Sequence, residues 1–90
     1  MSGAGWRVYI VETDRGTLYT GITTALERRL AEHAGGKRGA RYFRLGRPAR
    51  LRYVETAADR SLALKREAQI KRLSRIAKLE LIAAGGLDAR

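Results

Sequence analysis

The stretch from Arg7 to His33 constrains the fold more than any other part of the chain. Arg7-Val8-Tyr9-Ile10-Val11-Glu12 and Thr17-Leu18-Tyr19-Thr20-Gly21-Ile22 are short β-rich runs on either side of Thr13-Asp14-Arg15-Gly16. Two such runs around a glycine-bearing turn predict a β-hairpin. Thr23-Thr24-Ala25-Leu26-Glu27-Arg28-Arg29-Leu30-Ala31-Glu32-His33 follows. There Thr24 and Glu27 stand in capping-box spacing ahead of Leu26 and Leu30, so the hairpin runs into a helix.

Register decides what this unit displays. Trp6, Val8 and Ile10 alternate on one face of the first strand, and Leu18, Thr20 and Ile22 on one face of the second. Bringing both sets to one side of the sheet requires an odd-numbered loop, such as three residues followed by Gly16 in a bulge. In that register Tyr9 lies directly opposite Tyr19 on the other face. Arg29 and His33, at i and i+4, share one stripe of the helix. Two phenols, a guanidinium and an imidazole therefore converge, and a site is expected there.

On these residues the chain resembles the GIY-YIG nuclease superfamily. Tyr9 falls on the tyrosine of the first motif, and Tyr19 opens the second. The arginine ten residues after the second tyrosine falls on Arg29, and the Tyr or His four further on falls on His33. The family's metal-binding glutamate, carried on a later helix, falls on Glu67 in Ala63-Leu64-Lys65-Arg66-Glu67-Ala68-Gln69-Ile70-Lys71. The resemblance spans Trp6 to about Ile82 and is closest to the small stand-alone bacterial members. There are departures. The first motif reads Arg7-Val8-Tyr9, without its glycine, and the chain has no asparagine, whereas many relatives carry one late in the domain.

The resemblance implies an α/β (α+β) domain: a small three-stranded antiparallel sheet flanked by helices, in the order β-β-α-β-α-α. It also implies a metal-dependent endonuclease that hydrolyses phosphodiester bonds in DNA, structured or single-stranded, in repair or recombination. In that assignment Glu67 binds Mg²⁺ or Mn²⁺ beside the leaving oxygen, and Arg29 contacts the scissile phosphate. Tyr9 and Tyr19 position the attacking water. Tyr9 accepts its proton if Arg29 and the metal lower the phenol's pKa, and His33 supports it. Thr23 holds a water or a phosphate oxygen. One nearby carboxylate suits a one-metal mechanism.

Charge points the same way independently. Nineteen Lys and Arg against nine Asp and Glu leave +10 on 90 residues, an excess that implies a polyanionic partner, nucleic acid (DNA or RNA) before an anionic membrane. Arginine outnumbers lysine, which suits bidentate phosphate contacts. Between Glu32 and Glu55 there is no acid. Lys37, Arg38, Arg41 and Tyr42 lie there, in a segment broken by Gly39, Gly46 and Pro48. Cations interleaved with aromatics suit a surface that tracks a nucleic-acid backbone and stacks unpaired bases. Phe43 is expected to tuck into the core while Arg41 and Tyr42 face the substrate.

The rest of the chain reads as one domain over residues 1–90, with 1–5 and 87–90 as frayed tails. Gly35-Gly36 end the first helix. Leu51-Arg52-Tyr53-Val54-Glu55 alternates weakly and predicts the third strand. Thr56 or Asp59 caps a helix running to about Leu73, and Ser74 caps a last helix from Arg75 to Ala84. Leu73, Ile76, Leu79 and Ile82 form an apolar stripe expected in the core. Two residues admit a second reading. Spacing makes Glu67 an exposed i,i+4 partner of Lys71, and Lys71 otherwise belongs to the nucleic-acid surface. His33 equally suits a helix end, where the dipole favours its charged form.

Zero cysteines exclude disulfides and thiolate zinc sites. The absence of any apolar run of membrane length makes a cytoplasmic protein the expectation. No base-reading helix is evident, so recognition by shape is expected rather than by sequence. Double-strand cleavage would need two active sites, which a homodimer would supply. Two rivals to the enzyme remain: a non-catalytic nucleic-acid-binding module on the same scaffold, and an adaptor that docks through its last helix.

Overall fold

A strand with four consecutive buried side chains needs cover on both faces, and β1 has it. The computed structural model describes residues 5–29 and 48–85. In it β1 (Trp6–Thr13) lies between β2 (Leu18–Thr23) and β3 (Pro48–Ala57) in an antiparallel sheet of order β2-β1-β3. Val8, Tyr9, Ile10 and Val11 are at most 1% exposed. Their β-branched and aromatic side chains suit a central strand. A helical turn at residues 26–29 opens α1, and α2 (Arg60–Lys71) and α3 (Arg75–Gly85) follow β3. The order is β-β-α-β-α-α, as expected. Among the described residues no helix is long and apolar enough to cross a membrane.

The hairpin keeps the expected faces but not the expected register. Tyr9 pairs with Gly21 and Val11 with Tyr19, so Tyr9 and Tyr19 are not opposite one another. The loop explains the two-residue shift. Asp14, Arg15 and Gly16 form a three-residue connection, with Gly16 inside it at φ +82° rather than after it. Thr13 closes the loop, its N–H donating to Thr17 O at 2.8 Å while its carbonyl accepts from Gly16 N at 2.9 Å. Thr13 Oγ1 also accepts from Arg15 N and Thr17 N, at 3.3 and 3.1 Å. A glycine at positive φ in the third position is a favoured way to end such a loop.

β3 is longer than the predicted run because Pro48, Ala49 and Arg50 join it. Its pairing with β1 slips between Ile10 and Val11, and again between Glu12 and Thr13. The first slip inserts Arg52, whose guanidinium pairs with Glu12. The bulge reverses side-chain parity. Leu51 and Val54 therefore join the cluster around Tyr9 and Val11, while Tyr53 joins Val8 and Ile10 on the other face. This is why alternation in the sequence looked weak.

Helix α2 covers the Val8–Ile10 face with Ala63 and Ile70, both fully buried and two turns apart. Asp59, rather than Thr56, caps it by accepting Leu62 N–H at 2.9 Å, and Ser74 Oγ accepts Ala77 N–H at 3.1 Å at the start of α3. Only part of the predicted apolar stripe of α3 is covered: Ile82 packs on the core cluster and Leu79 is half-buried. Leu73 and Ile76 are 37% and 70% exposed. The helix is anchored at its ends instead. Arg75 Nη1 donates to Gly16 O at 2.7 Å, and Leu81 and Ile82 reach the core cluster. Urea unfolding should separate the two helices. Ile70→Ala should cost about 2–5 kcal/mol, and Ile76→Ala no more than about 0.5 kcal/mol.

Candidate active site

The site begins where Tyr9 crosses β2. A Cβ placed on Gly21 would lie 2.6 Å from the Tyr9 hydroxyl oxygen and 2.7 Å from Cζ. Only a residue without a side chain lets the phenol lie this close over the strand, and β2 is an edge strand. Tyr19, paired with Val11, is on the same face as a diagonal neighbour of Tyr9 and packs on the Tyr9–Val11–Val54 cluster.

Helix α1 brings the guanidinium. Thr23, not Thr24, turns the chain out of β2, its Oγ1 accepting Ala25 N–H at 3.0 Å. The first helical bond runs from Arg29 N to Ala25 O at 2.9 Å. Leu26 packs on the Tyr9 cluster, and Arg29, three residues on, shares that face and hydrogen-bonds the Tyr9 hydroxyl.

Helix α2 brings the carboxylate through its neighbour. Arg66 Nε reaches Glu55 Oε1 and Oε2 at 3.1 and 2.9 Å, and Arg66 Nη1 donates to Gln69 Oε1 at 3.2 Å. The Tyr53 hydroxyl donates to the same Glu55. Burial and this hydrogen bond raise the Tyr53 pKa. The clasp ties one shoulder of α2 to β3. Glu67, about 100° further round the helix, then occupies the opposite shoulder and acts on Tyr9. Its side chain is 19% exposed, and Lys71 Nζ lies 3.4 Å from its Oε2. Both readings of Glu67 thus meet in one residue: the Lys71 pair forms, yet the carboxylate is mostly buried beside Tyr9.

The Tyr9 pKa is pushed up to about 12. Burial is the main cause, Tyr19 and Glu67 add to it, and Arg29 opposes them. Arg29 lowers the pKa as expected, but by itself does not offset burial. Removing the phenolate from water outweighs one guanidinium, so the phenol at rest is neutral, its oxygen accepting from Arg29.

Tyr19, Arg29 and Glu67 thus all act on the Tyr9 hydroxyl. Thr23 lies on the same face of the sheet, 8% exposed, with its oxygen engaged in the turn. Lys71 stands beside Glu67. His33, Lys37, Arg38, Arg41, Tyr42 and Phe43 fall outside the described residues.

The sequence reading passed over Arg7 and Arg28. With Thr24 and Glu27 they line a cleft of about 430 Å³. Arg7 precedes Tyr9 by two residues and so shares its face, a signal that strand periodicity carries. Among the described residues no group of three or more His, Cys, Asp or Glu side chains could cage a metal. One carboxylate beside phenol oxygens fits a hard cation that keeps waters and takes substrate phosphate, as Mg²⁺ does.

Residues 5–80 match the family model of the GIY-YIG catalytic domain. A UPF0213 protein of Desulfotalea psychrophila is 54% identical over 79 residues, covering 88% of this chain and 72% of that protein. One from Halobacterium salinarum is 48% identical over 71 residues, 79% of this chain and 91% of its own length. The solution NMR structure of the UPF0213 protein from Bacillus halodurans is similar with a TM-score of 0.60 at 37% identity, covering 93% of this chain and 88% of that one.

Two outcomes test this geometry. Gly21→Ala forces the Tyr9 ring to move and should cost about 1–3 kcal/mol, as overpacking does, read by urea unfolding. The second concerns pH. The folded Tyr9 pKa of about 12 exceeds the ordinary 10.0, so its contribution to stability is whole below pH 10 and disappears as pH climbs through 12. Over that window Tyr9→Phe should lose less stability than the wild type.

Proposed function

Because the chain belongs to the GIY-YIG family, we propose that it is a metal-dependent endonuclease that hydrolyses phosphodiester bonds in DNA. The observation that carries this reading is the buried Tyr9 phenol laid across Gly21, with Arg29 hydrogen-bonded to it and the charges of Tyr19 and Glu67 felt at its hydroxyl, in a chain of net charge +10.

The roles follow from the chemistry of each group. Glu67 would hold Mg²⁺ or Mn²⁺, whose Lewis acidity stabilises charge on the leaving oxygen. Arg29, held by the α1 turn over Tyr9, offers its planar fork to the non-bridging oxygens of the scissile phosphate, where charge grows in the transition state. Tyr9 is neutral at rest and orients the attacking water by hydrogen bonding; Tyr19 flanks it. Burial of the phenol argues for positioning over proton abstraction. Arg7 and Arg28 line a cleft and would hold the flanking backbone, as would Lys71. Such contacts position a strand without reading its sequence.

The lack of asparagine favours one other reading, a binding module without turnover on the same scaffold. A nicking assay with Mg²⁺ or Mn²⁺ against EDTA separates the two. In the enzyme, Glu67→Gln and Arg29→Ala abolish cleavage while DNA affinity stays within a few-fold, since many other cations hold the backbone. Arg7→Ala with Arg28→Ala should do the reverse, weakening binding and making the salt slope on duplex DNA shallower by about 0.9 for each phosphate the protein no longer neutralises. A wild type that never nicks, or single-site variants that cut normally, would overturn the catalytic reading.

A further inference from the structure

The pair between Lys71 and Glu67 is uneven. The lysine side chain is 55% exposed and the glutamate side chain 19%, with Nζ 3.4 Å from Oε2. On an open surface this would be an ordinary i,i+4 helix pair. Here the carboxylate is the oxygen donor that the proposed cation needs. A magnesium ion bonds carboxylate oxygen at about 2.0–2.1 Å. With the lysine in place, an ion on Oε2 would stand within about 5.5 Å of the ammonium, in a partly buried site that salt screens weakly. The two positive groups compete for one oxygen.

The neighbouring cations cannot substitute for Lys71. Arg66 is fixed to Glu55 and Gln69, and Arg29 is bonded to Tyr9. Lys71, by contrast, is a compact charge on a flexible stem, and its exposure lets it swing to another anion without losing packing.

We propose that Lys71 is a tethered cation that occupies Glu67 until substrate arrives and then passes to a phosphate oxygen, so that divalent ion and DNA bind cooperatively. The resting enzyme carries a masked metal ligand, and DNA unmasks it by giving the ammonium a stronger partner. Linkage makes the effect mutual: whatever factor DNA adds to metal affinity, the metal adds to DNA affinity. The proposal rests on the reading of Glu67 as the metal ligand.

Titration of the full chain with Mn²⁺ in the absence of DNA, followed by electron paramagnetic resonance of the free ion, tests it without any turnover. Lys71→Met should bind Mn²⁺ about fivefold more tightly than wild type or better, the lower end of ordinary coupling between sites. Lys71→Arg, which keeps the charge, should not. Glu67→Gln reports on the underlying reading: if it binds Mn²⁺ like wild type, Glu67 is not the ligand and both ideas fall. If Glu67→Gln loses the ion while Lys71→Met binds no more tightly than wild type, the metal site stands and the masking does not. Thermal melts by circular dichroism confirm that the variants are folded.

Discussion

The close approach of the Tyr9 ring to Gly21 is the constraint on which the site depends, and a three-residue loop enforces it. A one-residue slip in the β1–β2 pairing would send Tyr9 and Tyr19 to opposite faces. A two-residue slip keeps the faces but sets Tyr19 where Gly21 stands, and the phenol could not then lie across the edge strand. The conformation of Gly16 at φ +82° and the two N–H groups gathered by Thr13 Oγ1 hold the pairing in the one register that leaves space. The turn chemistry at one end of the hairpin thus sets the geometry of a hydroxyl several residues away.

Helix α2 turns that geometry into a chemical site by working in two directions at once. Ala63 and Ile70 fix its height over the sheet, and Arg66 fixes its rotation through Glu55. Glu67 is aimed at Tyr9 because its neighbour is not. The bulge at Arg52 serves the same end. By reversing parity it turns Tyr53 and Glu55 toward α2, while Leu51 and Val54 support Tyr9 from below. A regular β3 could not do both. The clasp is half exposed, so its contribution lies in direction more than in energy.

Much of this was legible in the residues. The hairpin, the third strand, the caps at Asp59 and Ser74 and the two later helices all follow from period and capping. The resemblance singled out Tyr9, Tyr19, Arg29 and Glu67. Register was not legible, because face parity cannot distinguish pairings two residues apart, and only the loop's own bonds decide between them. Nor was the fate of Leu73 and Ile76. Periodicity tells which side chains share a face, and says nothing about whether another element covers it. Glu67 shows a third limit. Spacing pointed to Lys71 and the family motif to the tyrosines, and neither signal could reveal that the carboxylate paired with Lys71 also acts on Tyr9.

The electrostatics follow from burial. In so basic a chain a phenol beside an arginine would be expected to ionise easily, yet the Tyr9 pKa moves up because loss of solvent costs a phenolate more than Arg29 returns. The resting centre therefore keeps one positive charge, Arg29 on a neutral hydroxyl, while Lys71 is matched by Glu67. Cations outside the centre, such as Arg7 and Arg28 on the nearby cleft, add to the positive field of Arg29. A phosphate arriving there is the first anion that can compete for Arg29 and Lys71. This distribution of charge favours assembly of the proposed site by an arriving phosphate: an uncompensated cation at Arg29, a matched pair at Glu67 and Lys71, and a new partner for both cations once a phosphodiester bridges them.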